Sequence, residues 1–154
     1  MKRYATTIII LILAAFFQVR GQQLPDLDAK TVQELMHKAP KPVVVQLYTG
    51  WCMYCKMQDR QIRRDKQLQK VLAEEVYYLR FDAERKDTVS FNGQTYTYMR
   101  HGPSGGIHQL AYALGEKEGR IGYPAWIILD ERYQRMFVHH GLLPTQTLLK
   151  LLLH

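Results

Sequence analysis

The stretch Val43-Val44-Val45-Gln46-Leu47-Tyr48-Thr49-Gly50-Trp51-Cys52-Met53-Tyr54-Cys55-Lys56 decides how the rest of the chain is read. Its first six residues are a near-continuous apolar run rich in β-branched side chains, the pattern of a strand buried on both faces. Thr49-Gly50 breaks that run. From Cys52 to about Arg64 the residues favour helix, with neither Pro nor Gly among them. Two cysteines three positions apart therefore sit where a buried strand hands over to a helix. They are the only two in a chain of 154 residues, so a disulfide-stapled mini-protein is excluded and the core must hold by packing. On count and spacing alone the pair is a redox couple, half of a metal site, or a coincidence.

The position of the pair gives it a chemistry. A helix N-terminus carries unsatisfied N–H groups and about half a positive charge. A thiol placed there has its thiolate stabilised and becomes nucleophilic near neutral pH. With this spacing on a helical turn, Cys52 can attack a disulfide and form a mixed disulfide, and Cys55 can resolve it. Trp51 would shield one side of the pair with a broad surface suited to a peptide, and Lys56 adds a nearby cation. A zinc site would need two further ligands. No second Cys-x-x-Cys exists, and His101, His108, His139 and His140 show no ligand spacing. Covalent haem attachment needs His directly after the second cysteine, where Lys56 stands. A purely structural bond closing so short a loop contributes little by loop closure.

Working back toward the N-terminus, Pro40 and Pro42 stop a short helix. Thr31-Val32-Gln33-Glu34 fits a capping box opening it, and Val32, Leu35 and Met36 fall on one side. Met1-Lys2-Arg3 and the apolar run Ile8–Phe17 have the lengths of a secretory signal rather than a membrane span. Val19-Arg20-Gly21 places cleavage before Gln22. Residues 1–21 are read as a leader, and no stable membrane insertion is expected once it is removed. Its loss takes away Lys2, Arg3 and Arg20 and no acid, lowering the formal charge from +7 to +4. What basicity remains clusters as Lys56, Arg60, Arg63 and Arg64 and reads as a solvated helix face. With no zinc-finger, RRM or helix-turn-helix signature, nucleic acid is not an expected partner.

Working forward, Asp65 can cap a second helical stretch to Glu74 or Glu75, and Asp59 and Arg63 are spaced as an i, i+4 pair. Val76 to Phe81 reads as the next strand. Thr88 to Tyr98 holds Asn92-Gly93, a type I′ hairpin signal. Gly102 to Gly106 reads as a loop, and Ile107 to Leu114 as a short helix stopped by Gly115. Tyr123-Pro124 precedes the apolar strand Ala125–Leu129, Gln134–His140 can pair back antiparallel, and Thr145–Leu153 forms a terminal helix. His139-His140 reads as a strand end. The order describes a mixed sheet with helices on both faces.

These landmarks together resemble the thioredoxin-like family. The resemblance runs from about Pro42 to His154. It is carried by Val43–Tyr48, by Trp51-Cys52-Met53-Tyr54-Cys55-Lys56, and by the strand ending Arg80-Phe81-Asp82-Ala83-Glu84. Tyr123-Pro124 before a strand and Gly141-Leu142-Leu143-Pro144 before the last helix complete it. The chain is most similar to the thioredoxin domain at the end of the transmembrane thiol–disulfide reductant conductor and to small exported relatives.

The resemblance implies an α/β thioredoxin fold, a central mixed sheet flanked by helices, over residues 22–154. A hairpin-plus-helix insert at about 86–122 would precede the cis-proline strand. It implies a thiol–disulfide oxidoreductase acting on protein thiols and disulfides in an exported, periplasmic or extracellular setting, most readily as a reductant. Cys52 and Cys55 are the implied catalytic pair. Trp51, Tyr123 and Pro124 are the implied substrate-binding residues, with a cis bond before Pro124 presenting the Tyr123 backbone to an extended peptide. No metal and no diffusible cofactor are needed, because the Cys52–Cys55 disulfide carries the electrons. A reductant outside the cytoplasm needs re-reduction, for which a membrane electron donor is the natural partner.

Two departures stand out. Relatives with a buried acid six positions before the first cysteine have it where this chain has Gln46, and Met53-Tyr54 is neither Gly-Pro nor Pro-His. The direction of electron flow is not readable from that dipeptide. An oxidase or isomerase, and a non-catalytic peptide-binding or chaperone module, are the alternatives.

Overall fold

In the computed structural model, residues 26–103 and 105–153 are described. The expected leader, residues 1–21, lies outside them. In chain order the elements are α1 (Ala29–Lys38), β1 (Val43–Tyr48), α2 (Met53–Arg64), α3 (Lys66–Glu74), β2 (Tyr77–Asp82), β3 (Val89–Phe91), β4 (Gln94–Tyr96), β5 (Tyr98–His101), β6 (Gly105–His108), α4 (Gln109–Gly115), β7 (Ala125–Leu129), β8 (Arg135–His140) and α5 (Thr145–Leu153).

The apolar run of β1 lies second in a four-stranded sheet ordered β2-β1-β7-β8. It runs parallel to β2 and antiparallel to β7, and β7 pairs antiparallel with β8. Five of its six side chains are buried. Successive side chains point to opposite faces. Val43, Val45 and Leu47 join Val32 and Met36 of α1, Leu79 and Phe81 of β2, and Leu110 of α4 in one apolar layer. Val44 joins Ile62 of α2, Leu68 and Leu72 of α3, Trp126, and Leu148 of α5 in the other. A one-residue slip of β1 would exchange these two sets, so its register is strongly specified. Among the described residues, no helix is long and apolar enough to cross a membrane.

Carboxylates start two of the helices. Asp65 accepts the Leu68 N–H at 3.0 Å and opens α3, as its place in the sequence suggests. The capping box expected at Thr31 does not form. Asp28 is the cap of α1 and accepts the Thr31 N–H at 2.7 Å, so Thr31 is already the third helical residue. Asp28 works because its oxygen satisfies an otherwise orphaned donor while leaving buried Ala29 inside the helix.

The segment between β2 and β7 is more structured than one hairpin and one helix. The first hairpin turns at Asn92 (φ 49°) and Gly93 (φ 71°), the two positive values a type I′ turn requires. Its second strand ends at Tyr96 rather than Tyr98. Tyr98–His101 belongs to a second hairpin and pairs with Gly105–His108, where the sequence reads as loop and helix start. Gly106 permits this pairing: a Cβ there would lie 2.1 Å from the Met99 carbonyl oxygen. Helix α4 therefore begins at Gln109, capped by the buried His108, whose Nδ1 accepts the Leu110 N–H at 3.1 Å.

Candidate active site

The handover from β1 to α2 places Cys52 as the N-cap of α2. Its sulfur accepts the Cys55 N–H at 3.0 Å, so one of the orphan donors of the helix end is directed at Cys52 Sγ. Cys52 and Cys55 form a disulfide with their Cα atoms 5.3 Å apart. Both are buried, Cys52 at 3% and Cys55 at 2% exposure, whereas Met53 and Tyr54 between them stand out in solvent. Gln58, one turn further along and wholly buried, fixes the helix. Its amide donates to Leu143 O at 2.9 Å and accepts the Leu143 N–H at 2.8 Å, tying α2 to the loop before α5.

The rim of the disulfide is aromatic. Trp51 is 68% exposed. It meets Tyr123 edge-on, with ring centroids 6.3 Å apart. Its indole N–H donates to Glu84 Oε1 at 3.0 Å. The Tyr123–Pro124 peptide bond is cis. Pro124 is buried, and its carbonyl accepts the Gly141 N–H at 2.7 Å, which ties the strand start to the loop carrying Leu143. Desolvation, reinforced by the charges of Glu84 and Asp82, pushes the Tyr123 hydroxyl up to about 12.

Behind the pair lies a polar network on the α2 face of the sheet. Gln46, fully buried, donates from its amide to Asp59 Oδ1 at 3.1 Å and accepts from the Tyr78 hydroxyl. Asp59 also receives Arg80 Nη2 at 2.8 Å. Burial pushes the Tyr78 hydroxyl far above its ordinary range, which keeps it a donor. The expected Asp59–Arg63 helix pair is thus replaced: the carboxylate turns inward, where Gln46 and Arg80 offer better-desolvated partners than an exposed i, i+4 arginine.

Trp51, Cys52, Cys55, Tyr123 and Pro124 belong to adjoining elements: Trp51 directly precedes Cys52, and Trp51 meets Tyr123 across the rim. Lys56 is exposed, and no donation from it to either sulfur is present among the described residues. His139 and His140 lie on β8, where His140 pairs with Ala125, the residue after Pro124. They contact Leu142 O at 3.1 Å and Gly115 O at 2.7 Å, so they tie the loop before α5 and the end of α4 to β8. Among the described residues, no group of three or more His, Cys, Asp or Glu side chains is placed to hold a metal. The sequence reading missed Glu84 and Asp59. Glu84 was visible only as a strand-ending acid, and nothing local marks it as a partner of Trp51.

A mixed sheet of this order, with a Cys-x-x-Cys disulfide at a strand-to-helix junction, defines a thiol–disulfide oxidoreductase. The family assignment agrees: residues 29–154 match the thioredoxin-like domain family, and the chain belongs to it. No curated protein matches the sequence. Among solved structures the chain is similar to a DsbH oxidoreductase (14% identity, TM-score 0.53, covering 81% of this chain and 78% of that one). It is also similar to a thioredoxin-fold protein from Helicobacter pylori (14% identity, TM-score 0.55, 85% and 73% covered). A third likeness is to the exposed lipoprotein thioredoxin Etrx1 of Streptococcus pneumoniae (16% identity, TM-score 0.50, 77% and 87% covered). At these identities the likeness is one of fold.

Proposed function

We propose that the protein reduces disulfides of exported polypeptides, with Cys52 as the attacking thiolate and Cys55 as the resolving thiol. The observation that carries this reading is the Cys55 N–H directed at Cys52 Sγ at the start of α2. In the reduced protein that donor would stabilise the Cys52 thiolate. The thiolate attacks one sulfur of a substrate disulfide, forming a mixed disulfide and releasing the other substrate sulfur as a thiolate, which takes a proton. Cys55, losing its own proton, then attacks Cys52 Sγ and releases the second substrate thiol. Two electrons pass to the substrate, and the Cys52–Cys55 disulfide is left behind. Trp51, Tyr123 and Pro124 form the surface on which the extended substrate lies.

The reductant direction is supported by what surrounds the sulfur. Among the described residues Cys52 Sγ accepts one hydrogen bond and no cationic side chain donates to it. Of the two directions this favours the reductant, because a cation beside Cys52 would stabilise its thiolate further and with it the reduced form. Residues 22–154 act as one domain, and the apolar start of the chain supports export. A thioredoxin-fold neighbour described as an exposed lipoprotein fits that setting. A membrane-held dithiol donor would return two electrons to Cys52–Cys55 after each cycle.

The test is turnover of an oxidised protein substrate together with the reduction potential. The expected result is reduction by the wild type, loss in Cys52→Ser and Cys55→Ser, and a potential nearer about −270 mV than about −120 mV. A potential at the upper figure would make the protein an oxidase. Full cellular activity of both variants would make it a binding module.

A further inference from the structure

Beside the rim of the disulfide lies a pocket of about 480 Å³, with Glu84 and Tyr123 on one side and His101, Ile107 and Tyr112 on the other. Two of its walls are shared with the rim, since Glu84 accepts from the Trp51 indole and Tyr123 packs edge-on against Trp51. The second hairpin, α4 and Ile121 of the following loop supply the others. Gly105 and Gly106 leave the β6 wall as bare backbone, and Gly106 can be nothing larger because Met99 O stands where its Cβ would be.

The pocket has a charge pattern. Apart from His101 its walls are aliphatic, aromatic or bare glycine, they end at one carboxylate, Glu84, and no Lys or Arg lines it. Asp82 lies close by, accepting the Glu84 N–H at 2.9 Å, and both acids act on the Tyr123 hydroxyl. The nearest arginine in sequence, Arg85, is forked onto Asp87 at 2.5 and 2.7 Å. An acidic pocket on a net basic chain is selective by its sign.

We propose that this pocket is a specificity site, taking the lysine or arginine side chain that flanks the reacting cysteine of the substrate polypeptide. The inference rests on the reading that the protein exchanges disulfides with polypeptides. The methylene stem lies along Ile107, Tyr112 and Tyr123, and the cationic head meets Glu84. The insert between β2 and β7 thereby selects among substrates without touching the sulfurs.

The experiment measures the second-order rate at which the fully reduced protein reduces two cyclic disulfide peptides, identical except for Lys or Glu beside one cysteine. The expected rate favours the Lys peptide by about tenfold, and added salt shrinks the ratio. Glu84→Gln keeps an oxygen for the Trp51 indole and brings the ratio near unity, and Glu84→Lys inverts it. Glu131→Lys, the same charge change on an exposed turn, leaves it as in the wild type. Equal rates for the two peptides, or a ratio that Glu84→Lys moves no more than Glu131→Lys, overturn the pocket and leave disulfide exchange standing. Reduction of neither peptide overturns both.

Discussion

Gln46 of β1 donates its amide hydrogen to the carboxylate of Asp59, thirteen residues later on α2, at 3.1 Å. The bond crosses from the central strand to the helix that begins at the cysteines, one turn beyond Cys55. Gln46 occupies the position at which the resemblance anticipates an acid. A carboxylate on the helix face, Asp59, bonds the residue at that position, held by Gln46 on one oxygen and by Arg80 on the other.

Removing that carboxylate takes a partner from two groups at once. Asp59→Ala leaves the N–H of a fully buried Gln46 without its acceptor and reduces a largely covered Arg80 to its longer contact with Asp26, at 3.6 Å. The expected loss of unfolding free energy is about 1–3 kcal/mol. Asp59→Asn retains an acceptor for Gln46 and loses less. Urea unfolding of the two variants measures the difference, and equal stability of Asp59→Ala and wild type would contradict it.

His108 makes the insert sensitive to pH. Its Nδ1 accepts from Leu110 N–H while Nε2 is 3.0 Å from Asp87 O, an arrangement that fits the neutral ring carrying its proton on Nε2. Burial lowers its pKa below the ordinary 6.5. The unfolded chain then takes up the proton first as pH falls. Stability contributed by the neutral ring is complete above about 6.5 and declines from there toward the lowered folded value. Asp28, Asp65 and Asp87 are held below their ordinary 3.8 by their hydrogen bonds and add losses of the same sign only at lower pH. Asn also caps helices, so His108→Asn is expected to flatten the loss of stability as pH falls below 6.5, relative to wild type. An unchanged slope in the variant would refute the assignment.

The two glycines of β6 make opposite predictions. Gly106→Ala drives a Cβ to 2.1 Å from Met99 O and 2.7 Å from the Tyr98 ring, so the second hairpin must open. A loss of about 1–3 kcal/mol is expected. At Gly105 a Cβ meets nothing within 4 Å, and Gly105→Ala should stay within about 0.5 kcal/mol of wild type. Thermal unfolding of the pair decides, and a Gly106→Ala midpoint equal to that of Gly105→Ala would contradict the packing.

How much of this was legible in the sequence depended on whether the signal was local. The β-branched run of β1, the Asp65 cap and the Asn92-Gly93 turn each act within a few residues, and each is found where the sequence places it. The second hairpin was hidden because Gly102 to Gly106 has loop composition, and only the approach of Met99 O makes Gly106 a strand residue. The inward turn of Asp59 was hidden because helical spacing offered Arg63, while the partner that won, Arg80, lies on β2. Glu84 reaches Trp51 across 33 positions. No local pattern encodes such a contact.

The most direct test of disulfide exchange through Cys52 is the mass of reduced Cys55→Ser after incubation with an oxidised protein substrate. With the resolving thiol gone, a mixed disulfide joined at Cys52 should accumulate and be released by dithiothreitol, and Cys52→Ser should form none. A Cys55→Ser protein that remains unadducted, with its Cys52 thiol free, would contradict the account.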